Sequence, residues 1–185
     1  MTIKHSTIEF LDLYAQHLKN LDDEDRYTRF GYSATPATID SLILNILYNQ
    51  DNHHIFTYAV EGKILGFGHL AKDGTDWELA VSVEKSFQGQ GIANSLMSHM
   101  ISWGKTHGVN AVYMHCITEN QRIQHLAKKH GLKTIDRSGR DITAQVELPK
   151  PTIVDYATEL YQEQTELAKD IVRLQKTWLK NWTVK

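Results

Sequence analysis

Between Trp77 and Met97 the chain carries an apolar β-rich run, a turn of small residues and the start of an amphipathic helix, in that order. Trp77-Glu78-Leu79-Ala80-Val81-Ser82-Val83 has the composition of a buried strand. Gln88-Gly89-Gln90-Gly91-Ile92-Ala93 then puts two glycines and an alanine where the backbone turns sharply and a ligand can approach closely. Apolar or small residues follow at 93, 96, 97, 100, 101 and 104, one face of a helix that stops at His107-Gly108. A strand passing through such a turn into a helix makes an anion site. The first-turn N–H groups lack a partner within the helix, and the helix dipole favours negative charge beside them. A phosphate, above all a pyrophosphate, is the ligand expected here. The plain alternative is a strand-to-helix turn whose glycines serve packing.

Two familiar phosphate motifs are excluded. A P-loop needs Gly-Lys-Ser/Thr, which does not occur, and Gly89-Gln90-Gly91-Ile92-Ala93-Asn94 lacks the last glycine of a dinucleotide fingerprint. The stretch instead resembles the acyl-CoA signature of the GNAT N-acetyltransferase superfamily, Gln/Arg-x-x-Gly-x-Gly/Ala, here Gln88 to Ala93. A second segment adds to the resemblance. Thr118-Glu119-Asn120-Gln121 opens a helix, with Thr118 and Gln121 at capping-box spacing. Ile123, Leu126, Ala127 and His130 form its inner face and Gly131 ends it. The family's equivalent helix opens with Asn and closes with Lys-x-Gly-Phe; this chain has Asn120 and Lys129-His130-Gly131-Leu132, with Leu132 replacing Phe. In the order of its elements the resemblance covers residues 1–148. Asp25-Arg26-Tyr27-Thr28-Arg29-Phe30 and Glu78-Leu79-Ala80-Val81-Ser82-Val83 are also similar to a subgroup containing bacterial protein lysine acetyltransferases.

The remaining chain reads as a mixed α/β domain. Ser6 and Glu9 suggest a capping box for a helix with apolar residues at 8, 11, 14, 18 and 21. Asp22-Asp23-Glu24-Asp25 reads as a solvated helix end or loop, or as a magnet for a cationic substrate. Thr35-Pro36 caps a second helix through Ile39, Ile43, Ile46 and Leu47. Strands 55–60 and 64–71 flank the hairpin turn Glu61-Gly62-Lys63, and Gly66 and Gly68 suggest a bulge or a close backbone approach. Strands 77–83 and 111–117, joined by the central helix, should be parallel neighbours. A closing hairpin spans 132–137 and 142–148. The predicted fold is a mixed, mostly antiparallel sheet with a central parallel βαβ unit and helices on both faces.

At 185 residues with formal net charge −2 and no Lys/Arg run, the chain is a domain plus an appendage, and nucleic acid is not an expected partner. Met1-Thr2-Ile3-Lys4-His5-Ser6 lacks the apolar run of a signal peptide and no stretch reaches membrane-spanning length, so no membrane association is expected. A single cysteine, Cys116, points to a reducing cytoplasm. The histidines are scattered without ligand spacing, and no metal site is expected.

What the resemblance implies is a transferase using acetyl-CoA or a related acyl-CoA. Its parallel strands would splay to admit the pantetheine, bonded by the backbones of Val81 and Val83. The N–H groups of Gln88, Gly89, Gln90, Gly91, Ile92, Ala93 and Asn94 would hold the pyrophosphate, with a side-chain contact from Asn94 or Ser95. Asn120 would touch the pantetheine, and Lys128, Lys129 or Arg122 the 3′-phosphate. The acceptor amine attacks the thioester directly and must first lose its proton. Glu78 is the expected base: an acid in a strand beside the gap needs a function or a partner, and burial would raise its pKa. The alternative is a structural carboxylate bonded to an Arg or His. A backbone N–H of Val81 or Val83 would stabilise the oxyanion. The tyrosine that protonates the departing thiolate in the family is replaced by Ala127, leaving His115, Cys116, Tyr113 and His69 as substitutes. A covalent acyl-Cys116 is disfavoured, because His115 points to the opposite face of its strand.

Past Pro149-Lys150-Pro151 the pattern changes, dividing the chain into an acyltransferase domain, 1–148, and a helical segment, 149–185. Ile153, Ala157, Leu160, Gln164, Leu167, Ile171, Leu174 and Trp178 are spaced 4, 3, 4, 3, 4, 3, 4, a heptad seam behind a Thr152 cap. One helix of about 30 residues, ~45 Å long, must bury that seam against its own domain or another chain. A homo-oligomer is expected. Two functions fit: an N-acyltransferase acting on a primary amine of a small molecule or a protein lysine, or a catalytically silent acyl-CoA-binding regulatory or scaffold module.

Overall fold

The computed structural model describes residues 1–5 and 8–182, apart from the side chains of 163, 166, 170, 173, 174 and 176–182. Its contacts divide the chain into two units, Met1–Lys150 and Pro151–Lys185. In the first unit β1 (Thr2–His5), β2 (His53–Val60), β3 (Lys63–Asp73), β4 (Asp76–Val83), β5 (Ala111–Ile117), β6 (Lys133–Ser138) and β7 (Asp141–Glu147) form one sheet. Its order is β1-β2-β3-β4-β5-β7-β6. Every neighbouring pair is antiparallel except β4 and β5. The helices are α1 (Leu11–Asn20), α2 (Asp23–Phe30), α3 (Pro36–Tyr48), α4 (Ile92–Thr106) and α5 (Gln121–Lys129). This is the mixed, mostly antiparallel sheet expected, with β4-α4-β5 as its parallel unit.

Two apolar clusters cover the two faces. Phe56, Leu70, Leu79, Val83, Met97, Met100 and Val112 pack on the side of α4. Tyr14, Leu18, Ile39, Ile46, Ile55 and Phe67 pack on the side of α1 and α3. Adjacent residues such as Ile55 and Phe56 join opposite clusters because successive side chains of a strand alternate. The expected irregularity near Gly66 is a bulge: Tyr58 pairs with Gly66 and Ala59 with Ile64, leaving Leu65 as the extra residue. Gly68 leaves room in the sheet for the Met100 side chain, since a Cβ there would lie 2.6 Å from Met100 Sδ. Its bare backbone lets α4 seat against β3.

Three local expectations are corrected. Thr2–His5 forms an edge strand on β2, with Thr2 opposite Ala59 and His5 opposite Phe56. A four-residue polar edge strand has no hydrophobic period, so only its non-local pairing reveals it. Of the expected capping box, Ser6 and Thr7 lie outside the described residues, and α1 starts at Leu11 behind Phe10, which makes no side-chain cap bond. Of the two readings of Asp22–Asp25, a helix end or a loop, the helix end holds, because the run opens α2. Asp22 Oδ1 accepts from the Asp25 N–H at 2.8 Å, three acids fill the first turn, and Gly31 at φ 76° closes the helix. Acidic side chains beside the positive end of a helix dipole favour that start. Lastly, α5 is capped by Asn120, whose Oδ1 accepts from Ile123 N–H at 3.2 Å, while Thr118 bonds Glu119 instead.

The second unit is α6 (Ile153–Trp182). Thr152 and Asp155 cap it reciprocally: Thr152 N–H donates to Asp155 Oδ2 at 2.7 Å and Asp155 N–H to Thr152 Oγ1 at 3.3 Å. The seam residues Ile153, Leu160, Leu167 and Ile171 are exposed, and the Leu174 and Trp178 side chains lie outside the described set. Among the described residues no helix is long and apolar enough to cross a membrane.

Candidate active site

The parallel pair β4–β5 is short. Only Trp77 with Val112 and Glu78 with Tyr113 are in register, although β4 runs on to Val83 and β5 to Ile117. Beyond Glu78 the strands part. β4 stays paired with β3 along its other edge and β5 with β7, so the opening costs the sheet only the bonds between these two strands. A cleft of about 1820 Å³ occupies the gap, lined by residues 78–83 of β4 and 114–117 of β5.

The turn after β4 leads from this gap into α4. Gly89 and Gly91 have φ of 77° and 82°, the left-handed region that side chains resist. A Cβ at either would meet nothing within 4 Å, so packing does not require glycine there. Gly91 is the N-cap of α4 and offers no side chain to the first-turn N–H groups. Gln88, Gly89, Gly91, Ile92, Ala93 and Asn94 all line the cleft. Gln90 and Ser95 lie outside its lining, and Ser95 Oγ donates back to the Gly91 carbonyl at 3.2 Å. The combination of conformational demand, open space and uncapped helix N–H groups is what an anionic ligand requires.

Gln88 braces the turn. Its Nε2 donates to both carboxylate oxygens of Asp25 at 3.1 Å and to the Val83 carbonyl at 3.4 Å, while its Oε1 accepts from Arg122 Nη1 at 3.3 Å. Lys85 pairs with Asp22 beside it. The acidic run at 22–25 therefore anchors the turn through Asp22 and Asp25, with Glu24 also 3.9 Å from Lys85. Neither Asp25 nor Arg122 was legible as a partner of Gln88, because both contacts join segments far apart in the chain.

Glu78 lies in the cleft wall and is half-buried, not sunk in the apolar core; the argument from burial in the core does not apply to it. Leu79 and Val83 turn to the α4 side, with Val81 packed against the same cluster. Glu78, Ala80 and Ser82 share the opposite face, where Ser82 Oγ meets His17 Nε2 of α1 at 2.9 Å. Burial, with lesser effects from Glu84 and Arg29, leaves the His17 imidazole titrating at about 4. Val81, Val83 and Asn120 line the cleft too, as do Arg122 and Lys129, whereas Lys128 does not.

Of the four substitutes for a tyrosine acid, His69, His115 and Cys116 line the cleft and Tyr113 does not. His69 is buried, which holds it neutral with its pKa well below the ordinary value, and its Nε2 lies 3.1 Å from His53 Nδ1. His115 is exposed, its Nδ1 3.0 Å from Thr143 Oγ1. Cys116 is buried, and burial pushes its thiol pKa up, away from thiolate chemistry. Tyr113 Oη donates to Asp73 Oδ2 at 2.9 Å; burial, this bond and the nearby Glu78 push its pKa up and keep it protonated. Ala127 is buried in the α4-side cluster, away from the cleft lining.

The sequence profile of the acetyltransferase (GNAT) family matches residues 15–132. Solved structures share the fold at low sequence identity. The GNAT domain of S. lividans PAT is 14% identical with a TM-score of 0.69, over 79% of this chain and 89% of that one. Spermidine N-acetyltransferase from Vibrio cholerae, solved with CoA and spermine, is 15% identical with a TM-score of 0.63, over 80% and 95%. The ribosomal-protein-S18-alanine N-acetyltransferase from Escherichia coli is 16% identical with a TM-score of 0.60, over 82% and 97%.

Proposed function

Because the chain belongs to the acetyltransferase (GNAT) family, we propose that it moves an acetyl or related acyl group from acyl-CoA to a primary amine, by direct attack in a ternary complex. The observation that carries this reading is the open, uncapped turn feeding a strand pair that parts after Glu78. That arrangement fits the co-substrate: an anion-seeking turn for its diphosphate and free strand edge for its amide-bearing arm. The backbone of Gln88, Gly89, Gln90, Gly91, Ile92, Ala93 and Asn94 would hold the diphosphate, with Ser95 or Asn94 beside it. Val81, Val83 and Asn120 would hold the arm. Acyl-CoA supplies the activated carbonyl.

The chain's own residues then do two things. Glu78 takes the proton from the bound ammonium, directly or through water, since only the free amine is a nucleophile. A backbone N–H of Val81 or Val83 donates to the carbonyl oxygen as it gains negative charge. The thiolate leaves without a dedicated acid, because Ala127 stands where the family's tyrosine would be and a CoA thiolate is itself a fair leaving group. The free, buried Cys116 supports a cytoplasmic location. The heptad seam of α6 supports self-association into a homo-oligomer.

A second reading, an acyl-CoA-binding regulatory or scaffold module without turnover, is favoured by Ala127 and by the heptad seam of α6. One experiment separates them. Acetyl-CoA is offered with polyamines, amino acids, amine-bearing small molecules and lysine- or alanine-terminated peptides, and free thiol is followed. Amine-dependent thiol release establishes transfer. Binding of acetyl-CoA without release by any amine establishes the module.

A further inference from the structure

Arg29, on α2, also lines the cleft, and its charge is not compensated. Its side chain is half-buried. Nη2 donates to Tyr14 Oη at 3.0 Å, and the guanidinium leans on the Phe30 ring at 5.1 Å. Nε is shut off from water and has no hydrogen-bond acceptor. Among the described residues no carboxylate lies within 4.0 Å of its nitrogens. The neighbouring Arg26 differs. Although its Nε is likewise buried, its terminal nitrogens are engaged by the Leu21 and Ala34 carbonyls and by Asp23. Arg26 ties a loop down, whereas Arg29 presents a permanently charged fork to the cleft.

Its position relative to Glu78 follows from the register. Tyr14, which holds Arg29, has its ring 5.7 Å from that of His69. His69 pairs with Ala80 on β4. Glu78 is the next residue on the same face, ~7 Å along the strand. Glu78 and Arg29 thus line one cleft, on the face of the sheet that carries Tyr14. The imidazoles near the arginine, His17 and His69, are both held neutral by burial and add no positive charge to it.

Resting on the acyl-transfer reading, we infer that the acceptor is a small primary amine that also carries a carboxylate, the carboxylate taken by Arg29 and the ammonium directed at Glu78. A guanidinium takes a carboxylate through parallel N–H bonds, and because Nε is shut off from water the terminal nitrogens of Arg29 supply them. A doubly charged phosphate would gain no second cation from His17 or His69. A protein lysine would bring an ammonium with no anion, leaving Arg29 as it is found.

Matched pairs differing only in the carboxylate test this: 4-aminobutyrate with butylamine, and lysine with cadaverine, beside 2-aminoethyl phosphate with ethanolamine. In thiol release the carboxylate-bearing member of a productive pair should show at least a ten-fold higher kcat/KM. Arg29→Met should narrow that ratio to within about two-fold through KM, and Arg29→Lys should restore part of it. Binding is read separately on protein saturated with CoA, which cannot transfer. There the amino acid should raise the melting midpoint, the plain amine should not, and Arg29→Met should remove the difference. Equal behaviour of the members of every carboxylate pair, or a response confined to the aminoalkyl phosphate, overturns the inference. A carboxylate-dependent midpoint shift without thiol release from any amine keeps the anion subsite and sinks the transfer reading. Fast release that ignores the carboxylate does the reverse. Selectivity of the unmutated protein decides the matter even if the Arg29 variants fail to fold.

Discussion

Gln88 Nε2 donates to both carboxylate oxygens of Asp25, at 3.1 Å each, across 63 positions of sequence. The start of α2 is thereby fastened to the first residue of the turn that opens into α4. Removing the carboxylate frees Gln88 and unties the turn. A hydrogen bond to a charged group contributes about 1.5–3 kcal/mol, and its half-buried setting favours the low end. Asp25→Ala should lower stability by about 1–2 kcal/mol and raise the acetyl-CoA KM several-fold. Denaturant titration and initial-rate kinetics measure the two; unchanged values for both would make the contact incidental.

Gly91 separates conformation from space. Gly91→Ala meets no neighbour but must hold φ 82°, which costs a side-chain-bearing residue about 1–2 kcal/mol. It should be less stable and still bind acetyl-CoA. Gly91→Glu puts bulk and negative charge into the turn. Acetyl-CoA at ~100 times its dissociation constant should stabilise the unmutated protein by ~2.7 kcal/mol, and Gly91→Glu by nothing measurable. Thermal unfolding with and without ligand gives both answers.

For Glu78, a base acting in a step worth ~10²–10⁴-fold, Glu78→Gln should lower turnover by about that factor with little change in the acetyl-CoA KM. Raising the pH should shrink the defect, because more of the amine is already free. Near-normal turnover at neutral pH would return Glu78 to a structural role.

Acid should unfold the protein through its aromatic-histidine cluster. His5 and His54 lie 3.1 Å apart against Trp103, and burial, with lesser effects from the like charges of nearby histidines, leaves the half-buried His54 titrating at about 4. A depressed folded-state pKa means that the unfolded chain binds the proton more readily. The contribution to stability is therefore complete above the ordinary value of 6.5 and is lost as pH falls from there toward 4. The melting midpoint should drop steadily over that range, with Trp fluorescence changing in step, and His54→Gln should flatten the slope. A midpoint constant over that window would show that the cluster accepts protons without opening.

The seam of α6 concerns assembly. If α6 pairs with a second copy, Leu167→Glu with Ile171→Glu should give a monomer by light scattering that still binds acetyl-CoA. A monomeric unmutated protein at micromolar concentration would refute pairing.

What the sequence reveals is what is encoded within a few residues. The β4 turn, the Thr35-Pro36 and Thr152 caps, and the Glu61-Gly62 hairpin carry their physical causes in adjacent positions, and each is where it was expected. β1 was not legible because its only apolar residue is Ile3 and its bonds go to residues 56–59. The brace of Asp25, Gln88 and Arg122 unites three separate segments, and no local pattern announces it. Arg29 is hidden for the same reason: it differs from Arg26 only in what surrounds it. The depth of Glu78 is not legible because an apolar strand composition does not show which of its residues face a cleft rather than the core.

The contact of Met100 with Gly68 makes α4 a lever. Its fulcrum lies eight residues, ~12 Å, from the helix start at Ile92. Gly68 is outside the cleft lining, yet a side chain there pushes on the Met100 thioether, and where that thioether cannot turn aside the helix lifts and the turn at its other end swings. Substitution at this glycine would be registered as altered cofactor affinity by a residue that no ligand touches.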